Sequence, residues 1–179
     1  MAVVSLCDYL QKQRERYAAI AAPLRDHHGA AMKRFFSSEL MSAIRVAEVK
    51  SREIPEPLFY AKAKTMGIRN LPVLAHMASL TFVDVLVFTG PMTERDLFHA
   101  LVHAAQFEVL GLVNWADLYV RGFLKLGRDF LVPIETHAFA LDTRFATNPA
   151  NAFDVKSEIS IWAKAERYTV VPPTGPSAK

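Results

Sequence analysis

Near the start of the chain Leu6, Tyr9, Leu10, Tyr17, Ile20 and Leu24 keep helical spacing, with Lys12, Arg14 and Arg16 between them, which predicts an amphipathic helix over about residues 6–24. "RDHHGA" interrupts this pattern, and "MKRFFSSELMSAI" continues as a short helix or loop. "RVAEV", residues 45–49, alternates in the manner of a strand. Pro55, Pro57 and Pro72 then punctuate a segment whose middle, "LFYAKAKTMG", suits a short helix stopped at Gly67. "MASLTFVDVLVFTG" reads as one strand, centred on residues 80–88 and apolar enough to be buried on both faces. Thr93 followed by Asp96 opens a helix over 94–110 that Gly111 stops. A second helix follows in "NWADLYVRGFLKLG", and a third opens with Pro133 and runs to Asn148 and Pro149. "FDVKSEISIWAKAERY" holds one more short element, and residues 170–179 read as a flexible tail. The expected architecture is α+β: one domain over residues 1–169, with a small sheet packed against the 94–110 helix and further helices around it.

Composition narrows the class. The 179 residues suit one core, and the 51% hydrophobic and 22% charged content is that of a globular chain. No apolar run reaches membrane-spanning length, and "MAVVSLCDYLQKQRERY" lacks the form of a secretory signal, so a soluble protein with no membrane partner is expected. Cys7 is the sole cysteine, which rules out an internal disulfide and makes a cytoplasmic location the simplest expectation. The 21 basic residues are nearly balanced by 18 acidic ones and are scattered, which argues against nucleic acid as a partner. Oligomeric state leaves no trace in the pattern.

The candidate chemistry lies in "RDLFHALVHAAQFEVLG". Phe98, Leu101, Val102, Ala105 and Val109 form one broad apolar face, and His99, His103 and Gln106 fall on the opposite side. From Leu97 to Leu112 the only charge belongs to Glu108, so the helix is expected to be covered almost all round. Histidines four apart stack their imidazoles, the geometry that lets one metal ion bind both. On the Pro133 helix Glu135 and Asp142 lie close together beside the stripe Ile134, Ala138, Leu141 and Phe145, which makes Glu135 the candidate third ligand. His137 points to the other flank. Two imidazoles and a carboxylate suit zinc. The alternatives are two core histidines and a solvated carboxylate at a helix start. His76 has no partner at ligand spacing.

"FHALVHAAQFEVLG", "LYVRGF" and "VPIETHAFALDTRF", preceded by "MASLTFVDVLVF", resemble the small zincin-like metallopeptidases over roughly residues 45–155. The resemblance implies a zincin-like fold, a zinc cofactor, a peptide or protein substrate, His99 and His103 as metal ligands, and Glu135 as the third in the gluzincin manner. The fourth position would hold water. It also exposes a departure. The family's general-base Glu falls on position 100, where this chain has Ala100, whose methyl group cannot accept a proton. A positioned general base contributes about 10²- to 10⁴-fold in rate, so a degenerate or inactivated hydrolase is expected. Two other readings stand beside it. One is a non-enzymatic binding or scaffold protein without metal; the other is a hydrolase that recruits Asp142 as its base. Tyr119 and Arg121 in "LYVRGF" can place a donor near a substrate carbonyl, or serve packing and surface roles instead.

Overall fold

In the computed structural model, which describes residues 2–169, eight helices surround a small mixed sheet, an α+β architecture. The order is α1 (Ala2–Ala18), β1 (Ala22–Pro23), α2 (Asp26–Met32), α3 (Ser38–Ala43), β2 (Arg45–Glu48), α4 (Phe59–Thr65), β3 (Ser79–Phe82), β4 (Val85–Phe88), α5 (Glu94–Leu110), α6 (Leu112–Leu126), α7 (Pro133–Thr147) and α8 (Val155–Lys164). The expected tail, 170–179, lies outside the described residues. Among the described residues, no helix is long and apolar enough to cross a membrane.

Two expectations need correction. The first helix ends at Ala18, and "RDHHGA" forms part of α2 rather than a break. The apolar run expected as one strand is a hairpin, β3 and β4, joined by Val83 and Asp84. Val83 takes φ +63°, a conformation that a β-branched residue rarely adopts. The turn is held from outside: Arg14 of α1 grips both Asp84 carboxylate oxygens at 2.5 and 2.7 Å, and the Asp84 carbonyl accepts from the Arg45 amide at 3.0 Å.

The sheet order is β1-β2-β4-β3, with β2 and β4 parallel and the outer pairs antiparallel. β4 is buried throughout, as its continuous apolarity implies. Alternation along β3 sends neighbouring side chains to opposite faces. Phe82 stacks on Tyr17 of α1, while the Thr81 hydroxyl donates to the Ala100 carbonyl of α5. The hairpin is therefore sandwiched between α1 and α5.

α5 is the central element. Thr93 caps it, its hydroxyl oxygen accepting from the Asp96 amide, and Gly111 ends it at φ +75°. From Leu97 to Phe107 every residue except His99 is buried, because β3, α6, α7 and α8 all pack on it. Phe98 stacks on Phe145 of α7 at 4.4 Å, and Phe35 packs edge-on against both rings. Such contacts contribute about 0.5–1.5 kcal/mol each beyond area burial and set how α5 lies along α7. Gly122 of α6 lets the start of α7 come close: a Cβ there would lie 2.9 Å from Val132 and 3.2 Å from Pro133.

Candidate metal centre

The packing of α5 against α7 brings His99, His103 and Glu135 together. Nε2 of His99 and Nε2 of His103 are 3.0 Å apart, and Glu135 Oε2 lies 3.3 Å from His103 Nε2 and 3.7 Å from His99 Nε2. All three side chains are less than one-fifth exposed.

Their partners decide which ring nitrogens face one another. Gln106, fully buried, donates through Nε2 to the Ile134 carbonyl at 3.0 Å, while its Oε1 accepts from the Trp115 indole at 3.3 Å. A carbonyl can only accept and an indole N–H can only donate, so the orientation of the amide is settled. Its oxygen also lies 2.9 Å from His103 Nδ1, which must therefore carry a proton and donate it. This turns His103 Nε2 toward His99 and Glu135. His99 is held in the same way: its Nδ1 donates to Asp142 Oδ2 at 2.8 Å, and Arg95 donates to Asp142 Oδ1 at 2.7 and 3.0 Å. Two imidazole edges and a carboxylate thus converge where only a cation relieves their mutual repulsion, and the outer partners fix that orientation as they do around bound metals.

Without a metal, a proton serves. Burial alone would lower the pKa of His99, but the hydrogen bonds and charges of Asp142 and Glu135 prevail and push it up to about 9. Burial would raise Glu135, yet His103 and His99 hold its carboxyl far below the usual range. Asp142, also against the effect of burial, is lowered by its bonds to His99 and Arg95. Three ligand atoms on a tetrahedral zinc, each at 2.0–2.1 Å, would be about 3.3 Å apart. The spacings of 3.0, 3.3 and 3.7 Å bracket that value, so the donor set fits such an ion.

The other candidates fall in different places. Ala100 is buried at the backbone contact with Thr81. Tyr119 is half-buried, stacked on Trp115 at 5.3 Å, and lines the cavity beside the cluster. Burial and the charge of Glu135 raise its pKa, so the phenol stays neutral. Arg121 pairs with Asp117 on the exposed flank of α6 and does not belong to the cavity wall. Asp142 is 3% exposed with both oxygens engaged, which suits orienting His99 and not acting as a base. His137 is buried apart from the cluster. Sequence reasoning missed Gln106 as the partner of His103, although it lies three residues on along the same helix face.

The cavity that the cluster faces has a volume of about 640 Å³ and is bounded by α1, the 57–78 segment, β3, α5, α6 and α7. No protein-family model, curated protein or solved structure matches the chain.

Proposed function

We propose that the chain is a zincin-like metal-binding domain, derived from a metallopeptidase and poor at peptide hydrolysis. The observation that carries this reading is the convergence of His99, His103 and Glu135 with both Nδ1 atoms already committed to outer acceptors, which turns each Nε2 toward one point. Zinc is the ion the donor set suits best, since imidazole and carboxylate at tetrahedral spacing are its usual ligands, and with three ligands from the chain one position is open. A divalent ion there would supply Lewis acidity.

The chain's own residues do the remainder. Asp142, backed by Arg95, and Gln106, backed by Trp115 and Ile134, hold the two rings in place. Tyr119 contributes a neutral hydroxyl near Glu135. No carboxylate stands at position 100, and Asp142 is occupied, so a group able to take a proton from water is missing from the expected place. The natural role is to hold a ligand more than to turn one over.

Purified protein should carry zinc close to one equivalent, measured by inductively coupled plasma mass spectrometry after dialysis. Metal-free protein that takes up no zinc on titration returns the site to a scaffold role. Ala100→Glu supplies the missing carboxylate and should raise peptide hydrolysis by about 10²- to 10⁴-fold over the Ala100 chain. Strong hydrolysis by the Ala100 chain, no weaker than that of the Glu variant, defeats the assignment of position 100.

A further inference from the structure

The space beside the cluster is large for an ion and its water. A cavity of about 640 Å³ falls within the range that encloses a small organic ligand. Its polar groups are unevenly placed. Apart from Asp129, the charged side chains of the wall are the cluster itself and its neighbours Arg95, Asp96 and Asp142. Elsewhere the wall is mostly apolar, with Leu6 from α1, Ile68 and Leu74 from the 57–78 segment, and Phe123 from α6, interrupted by Ser79 and Thr81 of β3 and by the hydroxyls of Tyr9, Tyr60 and Tyr119. Leu124, Phe130 and Phe139 belong to the same wall while remaining 58%, 48% and 44% exposed, so where the cavity meets solvent its rim is apolar as well.

Charge selects the head of the ligand. Asp142 and Arg95 neutralise each other, and a divalent ion held by two neutral imidazoles and Glu135 keeps one net positive charge at the cluster, while the half-buried carboxylates of Asp96 and Asp129 lie on the wall outside it. A buried charge of that kind calls for an anion. Shape and polarity select the rest. A peptide would bring an N–H and a C=O with every residue, and each needs a partner. The apolar wall offers them little beyond the open edge of the four-residue strand β3. A hydrocarbon chain makes no such demand.

We propose that the cavity binds a single-chain amphiphile, an unbranched aliphatic monocarboxylate, with its tail along the wall formed by α1, the 57–78 segment and α6 and its carboxylate against the metal held by His99, His103 and Glu135. This inference rests on the metal-binding reading above. The test is calorimetric titration of the zinc-loaded full chain with octanoate, decanoate and dodecanoate, each below its micellar concentration. Affinity should rise about fourfold per methylene, hence roughly fifteenfold from one acid to the next. Dodecanol, and dodecanoate on zinc-free protein, should each bind at least tenfold more weakly. Affinity independent of chain length, or equal affinity for dodecanol, overturns the proposal. So does an acetylated tetraleucine amide that displaces dodecanoate at lower concentration, which would make an extended peptide on the β3 edge the occupant. Failure of zinc itself to bind removes the metal site and this inference together, whereas stoichiometric zinc without carboxylate binding removes this inference alone.

Discussion

Two buried histidine sites face opposite flanks of α7 and behave in opposite ways. At the first, His99 and His103 meet Glu135, and His99 is pushed up to about 9. At the second, His137 is 1% exposed, stacks on Trp162 at 3.8 Å and lies 2.6 Å from the Tyr168 hydroxyl. Burial, aided by the charge of Arg167, lowers it to about 4, and among the described residues its Nε2 has no hydrogen-bond partner. Burial is common to both. What separates them is the company: acceptors that fix Nδ1 and a carboxylate facing Nε2 make a cation site, whereas aromatic rings and a phenol make a neutral core histidine.

The comparison breaks most decisively on metal content. His99→Ala or His103→Ala should abolish stoichiometric zinc binding in equilibrium dialysis, and His137→Ala should leave it intact. Loss of zinc in all three would show that the flanks are not independent.

Acid should separate them next. His137 has a folded-state pKa of about 4 against an ordinary value of 6.5, so below pH 6.5 the unfolded chain binds the proton first. Its contribution is whole above pH 6.5 and is lost as the pH falls to about 4, in total about 3 kcal/mol. His99 has the reverse sign in metal-free protein: stability from its bound proton is whole below pH 6.5 and is lost as the pH rises through about 9. Urea unfolding across pH should show both arms, and His137→Phe should flatten only the acid arm.

Asp142→Asn removes the carboxylate that orients His99 and should weaken zinc about 10- to 100-fold, measured by competition with a chelating dye. Unchanged affinity would reduce Asp142 to a partner of Arg95. The smallest effect is expected at Gly122→Ala, which overpacks the stiff, buried Val132. Overpacking costs about 1–3 kcal/mol, and the gain in helix propensity offsets about 1 of it. Stability should fall by about 1 kcal/mol, with a modest loss of zinc affinity because Glu135 sits on the displaced turn.

How much of this was legible in the chain follows the same division. α5 and α7 announce themselves through long apolar periodicity and clear ends, Thr93 and Gly111 for one and Pro133 and Asn148 for the other. The β3–β4 turn does not, because Val83 and Asp84 lack the usual Gly or Asn and are held in place by Arg14, seventy positions from Asp84 in sequence. The three candidate ligands were readable from spacing and from the stripe on α7. The role of Asp142 was not, since whether it acts as a base or a brace depends on how α5 lies along α7, which the Phe98–Phe145 stack sets. Arg121 shows the converse: a suggestive neighbour of Tyr119 in sequence that the helix turns outward.

The parallel pairing of β2 with β4 requires the chain to cross over between them, and that crossover supplies much of the outer wall of the cavity. Closing a flexible loop costs little more as it lengthens, about 0.6 kcal/mol for each doubling, so insertions there are well tolerated. The cluster has no such latitude, because one residue added to α5 between His99 and His103 rotates an imidazole by about 100°. Over evolutionary time the cavity can therefore change its capacity and shape while the His99–His103–Glu135 cluster stays as it is.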